Sequence, residues 1–361
     1  MPGKLDLFSS LSVTYIVSVQ LILEGLKSRS TPALARAISM VENGTPGFED
    51  LLASLHGRLG RARRVGITGP PGAGKSTLTE RLTAAYRSAG HTVGVIAVDP
   101  SSPFTGGALL GDRIRMERSA LDEGVFIRSM ATRGSLGGMA TTTGEVADVM
   151  DAFGFDRILI ETVGVGQSEL DVAAASDTTV VVLVPESGDG IQVMKAGLME
   201  IADVFVVNKA DRPGADRIIQ ELEVALGLRA GQAFRHMHVA KAGHGSPAKA
   251  LKAAAGQDWE PPVIPTIAAK GEGTDSLVAA LDKHFALLTE TGRLNQRRGL
   301  RAELRAREVI ERSVRRWIWS DAQKDEMDAA LKEVADGVRS PYDAAAQVVA
   351  RLQGSVAYER S

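Results

Sequence analysis

The sequence contains no cysteine. Disulfides, thiolate metal sites and thiol nucleophiles are therefore excluded together, and a reducing, cytoplasmic setting is the expectation. Aromatic residues are scarce, at 4%, which argues against stacking platforms for single-stranded nucleic acid. No charge of one sign dominates: 42 Lys and Arg stand against 44 Asp and Glu, a formal net of −2. Such a balance sets up no global field toward nucleic acid or anionic lipid, and neither is expected as a partner. Long apolar runs are lacking too. The nearest, "LFSSLSVTYIVSVQLIL" at 7–23, is broken by Gln20 and several Ser and Thr, and a spanning helix needs about 20 apolar residues. Only Lys4 precedes it, Asp6 offsets that charge, and no A-x-A follows. It reads as a docked or frayed helix rather than a targeting signal, with an extension from a misplaced start codon as the other option.

What is present is a chain of 361 residues, 44% hydrophobic, long enough for a central domain with additions. Residues 1–60 read as an N-terminal helical extension. In "TPALARAISMVEN", Leu34, Ile38 and Val41 share a face, Thr31 is the expected cap, Pro32 sits in the first turn and Gly44 stops the helix. "FEDLLASLHGRLG" follows as a second helix, with His56 a surface or packed histidine. Between 61 and 290 the texture changes. "RVGIT", "TVGVIAVD", "RILIET", "TTVVVLVP", "DVFVVNK" and "PVIPTIA" alternate with helical stretches. Near-continuous Val, Ile and Leu suits strands covered on both faces, so the expectation is a three-layer α/β domain on a mostly parallel central sheet. Residues 291–361 return to helices. A long basic one carries Leu300, Leu304, Ile310, Val314 and Trp317 along one stripe, with Ile318 and Trp319 beside it, and reads as an arm that packs on a partner subunit. Ser320 or Asp321 is expected to cap the next helix, and Ser340-Pro341 to open the last.

"GITGPPGAGKST" follows the first core strand and opens a helix. Its G-x-x-x-x-G-K-S, Gly69 to Ser76 through Pro70, Pro71, Gly72, Ala73, Gly74 and Lys75, lets backbone N–H groups turn inward as an anion cradle. Lys75 is placed to reach the β and γ phosphates, Ser76 to ligate Mg²⁺ and Thr77 to bond the α phosphate. Magnesium usually takes one or two carboxylates. The candidates are Glu161 in "RILIET", Asp99 closing "VGVIAVD" and Asp112 in "FTGGALLGDR". All fall at strand ends or just beyond, where parallel sheets gather ligands; Asp112 can equally be a loop residue making a local turn.

The base is read from "VVNKAD". Asp211 can accept hydrogen bonds from guanine's N1–H and exocyclic amine, neither of which adenine offers. Asn208 is expected to brace the loop, and the stem of Lys209 to lie along the base. Ala268, Ala269 and Lys270 in "IAAKGEG" suit a backbone clamp on the guanine carbonyl. GTP and its product GDP are therefore the expected ligands.

"GPPGAGKST", "VDPSSPFTGGALLGDR", "ETVGVGQSE", "NKAD" and "AAKGEG" together resemble the accessory GTPases of methylmalonyl-CoA mutase, also labelled lysine/arginine/ornithine transport-system kinases. The resemblance covers about residues 25–340 and explains Glu161, because this branch of phosphate-loop GTPases carries Glu where others carry Asp. It implies a GTP-hydrolysing chaperone that gates adenosylcobalamin loading into the mutase and protects it. It also implies a homodimer formed through C-terminal helices. Residues 1–22 have no clear family counterpart.

Hydrolysis asks for positioning and neutralised charge. Lys75, Mg²⁺ and the loop amides are expected to supply most of both; Gln167 or Asp112 is expected to orient water. "ESGDGIQVMKAGLME" reads either as a switch whose Lys195 meets phosphate charge when a partner closes it, or as a solvated helix. On the switch reading, turnover is slow until the mutase stimulates it. Three rival readings stand beside this one, the first a structural scaffold that binds nucleotide without turnover. A nickel-delivery GTPase would need soft ligands, and the densest group is "HMH" (236–238) with His244. An ATP-dependent kinase of a transport system would need a separate acceptor pocket, which the sequence does not suggest.

Overall fold

The computed structural model describes residues 6–99, 121–131, 138–162, 168–185, 198–233, 259–320 and 324–358. Asp112, Gln167, Lys195 and the histidines of the "HMH" group lie outside the described residues. So does Asp321, one of the two expected caps.

Seven strands form one sheet: β1 (Arg63–Thr68), β2 (Val93–Asp99), β3 (Val125–Ala131), β4 (Arg157–Thr162), β5 (Thr178–Leu183), β6 (Val204–Asn208) and β7 (Val263–Thr266), in the order β3-β2-β4-β1-β5-β6-β7. Every pairing is parallel. β1 is central, and the chain leaves it toward β2 on one side and later returns to β5 on the other, the reversal at which such sheets open a ligand crevice. The β-rich runs read from the sequence account for all strands except β3, in which Arg128 and Ser129 interrupt the apolar pattern.

Side chains alternate between two covered faces. Leu159 of β4 and Val180 and Val182 of β5 pack with helices α4 (Lys75–Ser88) and α9 (Thr274–Glu290). Ile158 and Ile160 point the other way, toward α5 (Gly138–Phe153) and α6 (Ser168–Ala175). On that side Val181, Leu183 and Phe205 meet α7 (Leu198–Ile201) and α8 (Ala215–Ala233). Each fully buried Leu, Ile or Val contributes about 1.5–3 kcal/mol, so both layers stabilise the sheet. The N-terminal helices α1 (Asp6–Lys27), α2 (Thr31–Glu42) and α3 (Phe48–Leu55) join this second layer, with Leu26, Leu34, Ile38 and Leu51 buried in the same cluster as α5. Among the described residues no helix is long and apolar enough to cross a membrane.

Two helix ends differ from expectation. Ser30, not Thr31, holds the cap position of α2, because Pro32 fits the first turn when Thr31 is already helical. The second helix stops at Leu55 and tightens into a single 3₁₀ turn over His56–Arg58. At the last helix Ser340 does cap: its Oγ accepts the Asp343 N–H at 3.1 Å and donates to Asp343 Oδ2 at 2.7 Å.

The chain divides into two compact units, Met1–Leu304 and Arg305–Ser361. The first includes the start of α10 (Arg293–Ile318). In the second, α11 (Lys324–Ala335) and α12 (Pro341–Tyr358) pack together.

Opposite the crevice, at the amino ends of the strands, lies a buried ionic cluster. Arg298 and Arg301 of α10 reach Asp177 at 2.6 and 3.1 Å, and Arg297 reaches Asp203 at 3.0 Å. Arg64 holds Asp148 and Asp151 at 2.8 and 3.0 Å, and Asp151 also accepts the N–H groups of Gly60, Arg61 and Ala62. Burial pushes the Asp177 carboxyl up, but Arg301, Arg298 and Arg64 outweigh it and hold it well below the usual carboxylate range. A depressed carboxylate contributes its stability above the unfolded value near pH 4 and loses it as pH falls further. Asp177→Ala is expected to destabilise the fold by about 3 kcal/mol, since it removes a fully buried carboxylate from two partly buried guanidiniums. Denaturant unfolding at neutral pH measures that loss, and the gap between parent and variant should narrow below about pH 4.

Candidate nucleotide site

The glycine-rich loop spans the turn between β1 and α4. Gly74 holds φ +86° at the helix start, and a Cβ there would stand 2.3 Å from Asn208 Nδ2. Gly69 holds φ +135°, where a Cβ would stand 2.1 Å from the Val182 carbonyl oxygen. Only glycine meets both demands at once, a left-handed backbone and no side chain. Gly74→Ala is accordingly expected to lower nucleotide affinity by about tenfold or more, read by calorimetry, with the β-sheet retained in circular dichroism.

The first turn of α4 presents Lys75, Ser76 and Thr77 at the amino end of a helix, where N–H groups and the helix dipole favour an anion. Lys75 is buried, and its Nζ donates to the carbonyls of Gly69 and Pro70 at 2.8 and 2.9 Å. The ammonium is thus kept inside the loop's curve. Ser76 Oγ donates to Glu161 Oε1 at 2.5 Å. Glu161 is buried in β4, level with Ile67 of β1 and Ala97 of β2, so the strand next to β1 aims its carboxylate at the helix start. A hydroxyl and a carboxylate are hard oxygen donors of the kind Mg²⁺ takes, and this donor set fits that ion. Asp99 closes β2 at the same edge of the sheet. Among the described residues no group of three or more His, Asp or Glu is gathered for a metal.

Asn208, the last residue of β6, ties three segments together. Its Nδ2 donates to the Ala73 carbonyl at 2.8 Å, while its Oδ1 accepts from Thr266 Oγ1 at 3.1 Å and from the Ala268 N–H at 3.0 Å. The phosphate loop, the end of β7 and the segment after it are therefore one construction. Lys209 takes a left-handed φ of +56°, uncommon for a residue with a side chain. It turns the chain so that Arg212 N–H meets the Lys209 carbonyl and Ala210 N–H the Thr266 carbonyl, both at 3.0 Å. Asp211 ends half exposed, with Lys270 Nζ 3.8 Å from its Oδ2. Ala268 is buried, and Ala269 and Lys270 are exposed beside it.

The sequence-predicted residues that are described thus converge on the carboxyl edge of the sheet: Gly69 to Thr77 after β1, Asp99 closing β2, Glu161 in β4, Asn208 closing β6 with Lys209 and Asp211 after it, and Ala268 to Lys270 after β7. One residue had no motif to announce it. Arg81, on α4, donates from Nε to the Ala268 carbonyl at 2.9 Å and from Nη2 to the Ala269 carbonyl at 2.6 Å.

A parallel three-layer sheet with this loop at its switch point belongs to the phosphate-loop nucleotide hydrolases. The family model described as "Methylmalonyl Co-A mutase-associated GTPase MeaB" matches residues 34–323. The chain belongs to that family and is a GTPase. It is 44% identical over 333 residues to a relative in Pyrococcus horikoshii that carries a GTPase name, covering 92% of this chain and 98% of that one. It is 33% identical over 318 residues to the mitochondrial "Methylmalonic aciduria type A homolog" of Mus musculus, covering 84% of this chain and 69% of that protein. A solved structure described as an LAO/AO transport system kinase superposes with a TM-score of 0.61 at 26% identity, over 93% of this chain and 98% of that one.

Proposed function

We propose that this chain is a GTP-gated chaperone for an adenosylcobalamin-dependent acyl-CoA mutase, methylmalonyl-CoA mutase before others, which guards cofactor loading and protects the loaded enzyme. The observation that carries the nucleotide half is the three-way brace at Asn208, which sets a base-reading segment and a phosphate cradle at a fixed distance. The partner half is supported by the description of the matching family and by the printed name of the mouse relative.

In this reading Gly69 to Thr77 bind the phosphates, and Asp211 with Ala268, Ala269 and Lys270 binds guanine, flanked by Asn208 and Lys209. Ser76 and Glu161, joined by Asp99 and Asp112 from the sequence, would hold Mg²⁺, which when bound neutralises phosphate charge. Lys75 draws the terminal phosphoryl into the loop and stabilises the charge that develops as its bond to GDP breaks. The candidates from sequence to orient water are Gln167 and Asp112, with Lys195 engaging when the mutase docks. Turnover is expected to be slow until then. Homodimerisation through the C-terminal helices is favoured by exposed Ile310, Val314 and Trp317 on α10 and by exposed Trp319 just past its end. A cytoplasmic setting fits the absence of cysteine from the sequence.

The test is GTP turnover of the purified protein with and without methylmalonyl-CoA mutase, beside transfer of adenosylcobalamin in the presence of GTP or GDP. Stimulated turnover and nucleotide-dependent transfer are expected. Turnover indifferent to the mutase, with transfer equal in both nucleotides, would overturn the partner half. The description of the solved relative as a transport system kinase favours a second reading, phosphoryl transfer to a protein. Labelled phosphate from ATP appearing on a protein acceptor would support it.

A further inference from the structure

We propose that Arg81 is a positioning residue for guanine recognition, holding the 268–270 segment from the same helix that carries Lys75 and Ser76. The inference rests on the reading above in which this segment meets the guanine carbonyl.

The Ala268 residue is gripped from both ends. Its N–H donates to Asn208 Oδ1 at 3.0 Å, and its carbonyl accepts from Arg81 Nε at 2.9 Å. The next carbonyl, of Ala269, accepts from Arg81 Nη2 at 2.6 Å. A guanidinium is a rigid planar fork, so two donors spent on successive carbonyls fix the orientation of both peptide planes. In a trans peptide the carbonyl of one residue and the N–H of the next point in opposite directions. Holding the Ala268 carbonyl therefore aims the Ala269 N–H away from Arg81.

That amide is the one left to a ligand. Ala268 N–H is taken by Asn208, Lys270 N–H donates to the Ile267 carbonyl at 2.8 Å, and Gly271 N–H to the Ala268 carbonyl at 3.1 Å. Ala269 is exposed. Arg81 thus presets a single donor for a carbonyl at the six-position of a purine. Guanine and hypoxanthine carry that carbonyl; adenine carries an amine there, a donor against a donor. Because Arg81 rides on α4, the same rigid helix orients the phosphate-binding turn and the base-reading amide.

The experiment compares affinities of GDP, IDP and ADP by calorimetry for the parent, Arg81→Ala, Arg81→Lys and Asp211→Asn. Arg81→Ala is expected to weaken GDP and IDP together by about tenfold, leaving their ratio and the ADP affinity unchanged. Arg81→Lys, with one ammonium for two carbonyls, should fall between. If Arg81→Ala does not fold, Arg81→Lys is read by the same ratios. Loss of ADP affinity in step with GDP would reveal a merely structural clip, and unchanged GDP affinity would show no role; either overturns the proposal. Asp211→Asn separates the two layers of the argument. It should narrow the GDP to IDP ratio, because IDP lacks the exocyclic amine. If it does so while the Arg81 variants change nothing, only this inference fails. If the parent takes ADP as readily as GDP and Asp211→Asn changes neither, the base reading fails and this inference with it.

Discussion

Lys75→Ala is expected to lower the rate of GTP turnover by about 10²–10³-fold, the usual loss when one preorganised donor is removed from developing charge. Lys75 is 5% exposed and its ammonium rests on the carbonyls of Gly69 and Pro70. Those two hydrogen bonds hold it within the loop's curve, so little reorganisation is needed when the phosphoryl bond stretches. Alanine removes the charge and also leaves the buried Gly69 carbonyl and the part-buried Pro70 carbonyl without this donor, so a loss of stability has to be separated from a loss of chemistry. Arginine is no substitute, because its broad fork cannot occupy a cradle shaped for a point charge. Phosphate release at saturating GTP measures the effect, and thermal unfolding of the variant supplies the control. Turnover within tenfold of the parent would remove Lys75 from the chemistry.

Asp211→Asn is expected to weaken GTP by about 10- to 100-fold, from the loss of a hydrogen bond to a charged acceptor. It should at the same time raise affinity for xanthosine triphosphate. Xanthine carries a carbonyl where guanine carries the exocyclic amine, and the amide of Asn can donate where the carboxylate could only accept. The Asp211 side chain is 44% exposed with Lys270 Nζ at 3.8 Å. Exposed pairs of this kind contribute about 0–1 kcal/mol, so exchanging that partner for a base costs little, and the fold should tolerate the substitution. Competition binding among guanosine, xanthosine and adenosine triphosphates decides the matter. A uniform loss across all three would point to a damaged loop rather than to base reading.

These two residues were readable in the sequence for the same reason. Phosphate loops and base-reading loops bind through adjacent backbone groups, so the chemistry needs contiguous residues, and contiguity is what a motif records. Glu161 was legible too, as the carboxylate near the end of an apolar strand. Its partnership with Ser76 was only an expectation of shared metal ligation; the direct hydrogen bond spans 85 positions. Arg81 was not legible. Its two carbonyl partners lie 187 and 188 residues away, and in its own helix it looks like any solvated arginine. The same holds for Asp177 and Arg298, whose pairing depends on where β5 and α10 meet in space. β3 was missed because Arg128 faces α2, donating to Ser39 Oγ and Glu42, and so breaks the apolar run from which the other strands were read. Ser30 displaced Thr31 at a helix start by one position, within the slack that pattern reading allows.

The single amide at Asn208 has an evolutionary consequence. It anchors Ala73 on one side and Ala268 on the other, so drift in either neighbour is felt by both. If the glycine-rich loop holds the diphosphate and the 268–270 segment the purine, as proposed, grip and choice are coupled through one side chain, and a change at Asn208 would loosen both together.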